Sequence, residues 1–225
     1  MTVFKTIKNK IISILGDRQG TTLVEMIVSF ALLGILLASA ATVIATITTM
    51  HYSISGEIYS REVSDIIMEK IVSEIDGAQY LENPDDNPKI IDNTSVTLFD
   101  KTGTYVTLSA DSEKNGLKVH YHGIEYINNG MKDEVNSRDP EDWYFDETMY
   151  KGFLVEEIKF YGCGSGNVNG NDVSTYGLPS GTLSDYNGNV VLVLLKLRSD
   201  KYGEYKYYRY VKMYNVPEEY DWSDS

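Results

Sequence analysis

One carboxylate stands alone in a long uncharged stretch of the chain. Glu25 is the only ionisable side chain between Thr21 and Met50. A carboxylate beside an apolar phase costs a few kcal/mol unless it meets a cation or stays in contact with water. The position therefore predicts one of two situations. Either Glu25 pairs with a cationic group near the start of the stretch, or it is a solvated flanking residue.

Two histidines and one cysteine have side chains that could bind a metal or act as a nucleophile. His120 and His122 alternate in sequence, so a strand would turn both to one side. Two ligands do not complete a metal site, which favours surface histidines. Cys163 lies in a Gly-rich turn with no base nearby in sequence to activate its thiol. The sequence therefore predicts a protein that is not an enzyme.

A short run of oxygen-bearing side chains is the weak candidate for a metal site. Asn169, Asn171 and Asp172 are similar to part of a calcium-binding loop. The bidentate Glu that would complete an EF-hand loop is missing. We expect no cofactor, with calcium at these three residues as the alternative that stays open.

The residues that follow Glu25 are long and apolar enough to cross a membrane. Met26–Ile47 contains 22 residues without a charge. As a helix this stretch is roughly 33 Å long, against about 30 Å of bilayer hydrocarbon. Only Ser, Thr and Gly interrupt the apolar residues, whereas a buried helix normally keeps a polar stripe. We expect residues 21–50 to form a transmembrane helix.

The residues before the span are basic. Residues 1–20 carry four cationic side chains against one Asp, a net charge of +3. Positive charge before a span predicts a cytoplasmic N-terminus, with the rest of the chain outside. An ordinary secretory signal would be cut after the apolar stretch, where Ala38-Ser39-Ala40 could serve as the cleavage site.

The junction before the span has a recognisable pattern. Gly20-Thr21-Thr22-Leu23-Val24-Glu25-Met26 resembles the prepilin signature of type IV pilins and pseudopilins, in which a basic leader ends in Gly before such a segment and an apolar span. The resemblance implies that a prepilin peptidase cuts after Gly20 and that Thr21 is N-methylated. It also assigns Glu25, Leu23 and Gly34 to filament assembly.

The implied cleavage supplies a partner for Glu25. A cut after Gly20 exposes a cationic α-amine on Thr21, one helical turn from the carboxylate. This amine, or that of a neighbouring subunit, can neutralise Glu25. The family usually has Phe where this chain has Thr21, and many major pilins have Pro where it has Thr42. These departures favour a minor pilin or a pseudopilin over the abundant subunit.

A second helical pattern follows the span. Between Ser53 and about Leu81, charged residues separate apolar residues at helical spacing, which predicts an amphipathic helix over residues 51–81, continuous with the membrane helix and with Gly56 as its bend. The apolar positions are Ile54, Ile58, Val63, Ile67, Ile71, Ile75 and Ala78.

Alternating apolar residues after Pro88 predict antiparallel strands. The predicted strands cover residues 89–92, 95–100, 105–110, 117–123, 124–128, 153–162, 190–199 and 205–216. Residues 128–142 are predicted to be a loop, with Asp139, Glu141, Asp142, Asp146 and Glu147 interpreted as a solvated acidic segment, and 162–189 a second long loop. The predicted fold class is α+β: a long N-terminal transmembrane and amphipathic helix packed against an antiparallel sheet, with the Tyr-rich last strand covering the helix.

Composition limits the function classes. The 225 residues fit one domain with appendages. A net charge of -13 argues against nucleic acid as a partner, because phosphate contacts need cations. The single cysteine excludes an internal disulfide. We divide the chain into a leader (1–20), a membrane helix half (21–50) and an extracytoplasmic domain (51–225).

These expectations combine into one functional hypothesis and one alternative. The hypothesis is a structural subunit of a type IV pilus or a type II secretion-like filament. By resemblance its partners are prepilin peptidase, other pilin or pseudopilin subunits, the membrane and an inner-membrane assembly platform. It would begin as a single-pass cytoplasmic membrane protein and end in an extracellular filament. The alternative is a secreted or membrane-anchored, adhesin-like ligand-binding domain that starts at Ala41.

Overall fold

The computed structural model describes residues 22–81, 87–124, 127–128, 131–132, 137–164, 174–178 and 186–222. These residues form one long helix and ten strands in antiparallel sheets, so the predicted α+β class is confirmed. The chain divides into two compact units, Met1–Tyr52 and Ser53–Ser225.

The long helix, α1, spans Thr22–Asp76. It was expected to reach residue 81 but ends earlier, because the backbone beyond Gly77 bonds to strands instead. The Gln79 N–H donates to the Phe99 carbonyl oxygen at 2.8 Å. Gln79 also pairs with Asn215 in an isolated bridge.

The last part of α1 is amphipathic, as predicted, and its buried residues recur at helical spacing. They are Gly56, Ser60, Val63, Ser64, Ile67, Met68, Ile71 and Ile75. Two residues of the predicted apolar stripe, Ile54 and Ile58, are instead 58% and 57% exposed. Beside these two residues the small Gly56 and Ser60 take the buried positions, because tyrosines lie directly over them. The Ser60 and Tyr207 hydroxyls are hydrogen-bonded at 2.7 Å.

Gly56 lies within α1, and the structure gives a reason for glycine there other than the expected bend. A Cβ on Gly56 would lie 2.5 Å from the Tyr205 hydroxyl oxygen and 2.9 Å from Tyr202 Cβ. Such distances are shorter than van der Waals contact. Glycine therefore lets the helix approach the two tyrosines closely.

The first sheet has five antiparallel strands in the order β1-β2-β3-β4-β7. Its strands are β1 Lys89–Ile91, β2 Ser95–Phe99, β3 Tyr105–Asp111, β4 Gly116–Tyr121 and β7 Glu141–Tyr144. Between β4 and β7 in sequence, β5 Ile127–Asn128 and β6 Met131–Lys132 pair with each other. The second sheet has the order β10-β9-β8 and contains β8 Leu154–Gly162, β9 Val190–Ser199 and β10 Gly203–Lys212.

The loop predicted for residues 128–142 is wrong in part, because β6 lies within it and β7 begins within it at Glu141. Trp143 and Tyr144 continue β7, which pairs with β4 and places Asp142 opposite His120. The neighbouring Asp146 is not a simple loop residue either. Its carboxylate accepts the Thr148 N–H at 2.9 Å and caps the 3₁₀ helix Glu147–Tyr150.

One apolar core joins α1 to both sheets. It contains Ile67 and Ile71 of α1, Leu108 of β3, Phe160 of β8 and Val193 of β9, all at most 1% exposed. The central strand β9 is buried on both faces, which explains its uninterrupted apolar sequence. Its other face contributes to a smaller cluster with the following members: Tyr161, Cys163, Leu178, Val190, Leu192 and Leu194.

Hydrogen bonds join the C-terminal segment, residues 213–222, to Gly188 and Pro88. Gly188 N–H donates to the Glu218 carbonyl oxygen at 2.7 Å, and Trp222 Nε1 donates to the Gly188 carbonyl oxygen at 2.6 Å. The Tyr220 hydroxyl donates to the Pro88 carbonyl oxygen at 2.6 Å. These bonds hold the end of the domain without a disulfide.

Candidate functional site

The N-terminal half of α1 has the properties of a membrane helix. Every residue from 22 to 50 is exposed. By length and composition α1 can cross a membrane, and none of its most apolar window is buried. Five of its hydroxyls donate to backbone carbonyls within the helix, among them Ser39 Oγ to the Ile35 carbonyl at 2.8 Å and Thr46 Oγ1 to the Thr42 carbonyl at 2.9 Å. Such internal bonding is what a spanning helix requires.

Three residues assigned to assembly lie on this exposed half. Glu25 is in the first turn of α1, where the helix dipole favours a negative charge. Leu23 is 71% exposed. A Cβ on Gly34 would meet nothing within 4 Å among the described residues. Gly20 and Thr21 lie outside the described residues, so cleavage and pairing stay predictions.

A charged cluster fixes the other half of α1 to the first sheet. Lys70 Nζ lies 2.6 Å from Glu74 Oε1, 3.0 Å from the Tyr121 hydroxyl and 4.5 Å from the Trp143 ring centroid. Burial opposes the charge of Lys70, but hydrogen bonds to Glu74 and Tyr121 outweigh it and raise the Lys70 pKa. The cluster is structural, because it joins α1 to β4 and β7.

The two histidines singled out from the sequence are in contact on the polar face of the first sheet. Their ring centroids are 4.6 Å apart. Asp142 Oδ1 lies 2.6 Å from His120 Nδ1, and Thr107 Oγ1 lies 2.9 Å from His122 Nε2. Burial, followed by the charge of His120, lowers the His122 pKa, and the hydrogen bonds of His120 and Lys118 lower the Asp142 pKa.

Of the other candidates for chemistry, the structure describes Cys163 but not the three residues of the possible calcium loop. Cys163 is fully buried, and burial raises its pKa to about 12, so its thiol is protonated at neutral pH. Asn169, Asn171 and Asp172 lie outside the described residues. Within the described ranges, no group of three or more His, Cys, Asp or Glu residues could hold a metal ion.

Sequence reasoning missed the partners of the histidines. The sequence predicts a loop at Asp142 and gives no sign that Thr107 contacts a histidine. The signal for β7 was weak, because acidic residues precede Trp143 and only four residues form the strand. Pairing with β4 across 22 positions, as between His120 and Asp142, leaves no local pattern in the sequence.

The architecture and the N-terminal motif both resemble those of one class of protein. A long apolar N-terminal helix followed by a domain of antiparallel sheets is consistent with the type IV pilin-like α+β fold. Residues 16–41 match the model of the prokaryotic N-terminal methylation motif, the leader signature of type IV prepilins. The motif supports a type IV pilin-type prepilin. No match is found among curated proteins or solved structures.

Proposed function

We propose that the chain is a minor pilin or pseudopilin, a non-enzymatic subunit of a type IV pilus or a type II secretion-like filament. Prepilin peptidase cuts it after Gly20, and Thr21 becomes the N-methylated N-terminus. One observation carries the proposal: the methylation motif at residues 16–41 overlaps a helix whose residues 22–50 are all exposed. An exposed apolar helix needs either lipid or the helices of other subunits around it.

Glu25 is the residue that distinguishes assembly from simple anchoring. A helix leaving lipid for a filament core carries its charges with it, and an unpaired charge in an apolar environment costs several kcal/mol. The Thr21 amine formed by cleavage offsets the charge of Glu25, within one subunit or between neighbours. Leu23 and Gly34 supply an apolar contact and a close approach between helices.

Localisation follows from the same steps. The basic leader keeps the N-terminus cytoplasmic, α1 anchors the precursor, and the acidic domain lies outside the membrane. Assembly on an inner-membrane platform then transfers the subunit into an extracellular filament with other pilin or pseudopilin subunits.

The proposal is tested by separating processing from assembly. Glu25→Ala and Glu25→Gln leave the scissile bond intact, so both variants are expected to be cut normally. Recovery in sheared filaments should fall at least tenfold relative to wild type, because the Thr21 amine loses its partner. Immunoblots of filament and membrane fractions measure both steps.

Glu69→Gln is the matched control. Glu69 is an exposed carboxylate on the same helix, outside the apolar half. We expect it to enter filaments at wild-type levels. Recovery of both Glu25 variants in filaments at wild-type levels would show that Glu25 is only a solvated flanking residue. It would contradict the pairing of Glu25 with the Thr21 amine.

A further inference from the structure

We propose that His120 and His122 bind a late first-row transition-metal ion, with Cu²⁺ bound most tightly. The site lies on the polar face of the first sheet, outside α1. Imidazole nitrogen is a preferred ligand for copper, nickel and zinc, and affinity across the divalent series peaks at Cu²⁺.

The spacing of the two rings fits a shared ion. Their centroids are 4.6 Å apart, with an interplanar angle of 78°. Two imidazoles bound to one ion at about 2.1 Å, with an angle between 90° and 110° at the metal, have centroids roughly 4.5–5.5 Å apart. The observed separation falls in this range.

Each ring has one nitrogen held by a neighbour and one left for a metal. His120 Nδ1 donates to Asp142 Oδ1 at 2.6 Å, and His122 Nε2 is bonded to Thr107 Oγ1 at 2.9 Å. His120 Nε2 and His122 Nδ1 have no hydrogen-bond partner among the residues that the structure describes. A carboxylate on the far nitrogen of a histidine is the usual support of a metal-bound imidazole, because it fixes both tautomer and orientation.

The supporting groups are themselves held in place. Lys118 Nζ lies 2.9 Å from Asp142 Oδ2, and Thr97 Oγ1 lies 3.0 Å from Thr107 Oγ1. The register of β4 against β3 and β7 sets Thr107 and Asp142 directly opposite His120. His120 and its supports therefore lie on three adjacent strands, and His122 directly follows β4, where its N–H donates to the Tyr105 carbonyl oxygen at 2.8 Å.

There is room for the ion and its water ligands. Both histidines line an open cavity of about 430 Å³. Arg138 and Asp139, on the same wall, carry opposite formal charges. Two protein nitrogens leave the remaining coordination positions to water, which places the site among exchangeable metal sites and not among structural ones.

The test uses the full chain, without an affinity tag, purified in detergent and titrated with Cu²⁺ against a competing chelator. Electron paramagnetic resonance and spin-echo modulation count the bound imidazoles. We expect one ion with two imidazoles in the wild type. His120→Asn and His122→Asn should each weaken binding at least tenfold and leave one imidazole. Both substitutions keep a polar side chain, and circular dichroism checks their folding.

Two further variants test the design of the site. His51→Ala removes the remaining histidine of the chain and should change nothing. Asp142→Asn should weaken binding about 10- to 100-fold while the two-imidazole spectrum persists, because Asp142 only orients His120. Wild-type affinity in the His120→Asn/His122→Asn double variant, or a wild-type spectrum without imidazole, would overturn the proposal.

Discussion

Burial of Cys163 suppresses the reactivity of its thiol. It lies 0% exposed in the smaller apolar cluster, and burial raises its pKa from 9.0 to about 12. At pH 8 the thiolate fraction is then about a thousandfold lower than for an ordinary thiol. We expect native protein to react with iodoacetamide at least a thousandfold more slowly than urea-unfolded protein. Equal rates in the two states would mean that the cluster opens readily.

At the scale of residues, the sequence points to some members of the candidate sites and gives no sign of others. Glu25 stands out in the sequence because it is isolated in an uncharged stretch, and its role stays a prediction. His120 and His122 lie side by side as predicted, although β4 ends at Tyr121, one residue before His122. Their supports, Asp142 and Thr107, could not be found, because strand pairing between distant segments decides them.

At the scale of elements, periodicity predicted α1 and most strands well. The periodicity gave wrong predictions where packing or pairing with a neighbouring element, and not local preference, determines whether a residue is buried or lies in a strand. Ile54 and Ile58 match the helical period but are exposed, because Gly56 and Ser60 make room for tyrosines. Strand β7 was missed because its pairing with β4, and not its composition, makes it a strand.

The Lys70 cluster predicts how strongly α1 is fixed to the first sheet. Lys70→Met removes the amine that Glu74 and Tyr121 share, and the Lys70 and Glu74 side chains are only 21% and 14% exposed. We expect a loss of about 1–2 kcal/mol in the free energy of unfolding. Urea unfolding followed by tryptophan fluorescence measures it, because Trp143 lies beside Lys70.

Arg61→Met is the control for this prediction. Arg61 and Glu57 form an ion pair with the same spacing on the same helix, but their side chains are 67% and 64% exposed. An exposed pair contributes little, so the change should stay within about 0.5 kcal/mol. Equal losses in the two variants would show that the Lys70 cluster does not stabilise the domain.

The C-terminal segment gives a second prediction at this scale. A Cβ on Gly188 would overlap the Tyr220 carbonyl oxygen, which is backbone and cannot swing away. We expect Gly188→Ala to cost about 1–3 kcal/mol of unfolding free energy and to speed trimming of residues 213–225 by carboxypeptidase. Gly77→Ala meets only ordinary contacts near 3.5 Å and serves as the control. Unchanged trimming in Gly188→Ala would show that the segment is not held through this turn.

At the scale of the whole molecule, the unit Ser53–Ser225 contains its own core. The main apolar cluster draws its α1 members from Val63 onward and the rest from both sheets. The exposed apolar residues of α1 are concentrated before Met50. The described residues therefore divide into an exposed apolar helix half and a folded domain of antiparallel sheets.

The central claim is that the chain is matured as a prepilin, and the N-terminus of the mature protein tests it most directly. Intact-mass spectrometry and N-terminal sequencing of protein from membranes and filaments should find N-methylated Thr21 as the first residue. Gly20→Val should leave the precursor uncut, because a β-branched side chain obstructs the scissile bond. A mature protein beginning at Ala41, or normal maturation of Gly20→Val, would contradict the account.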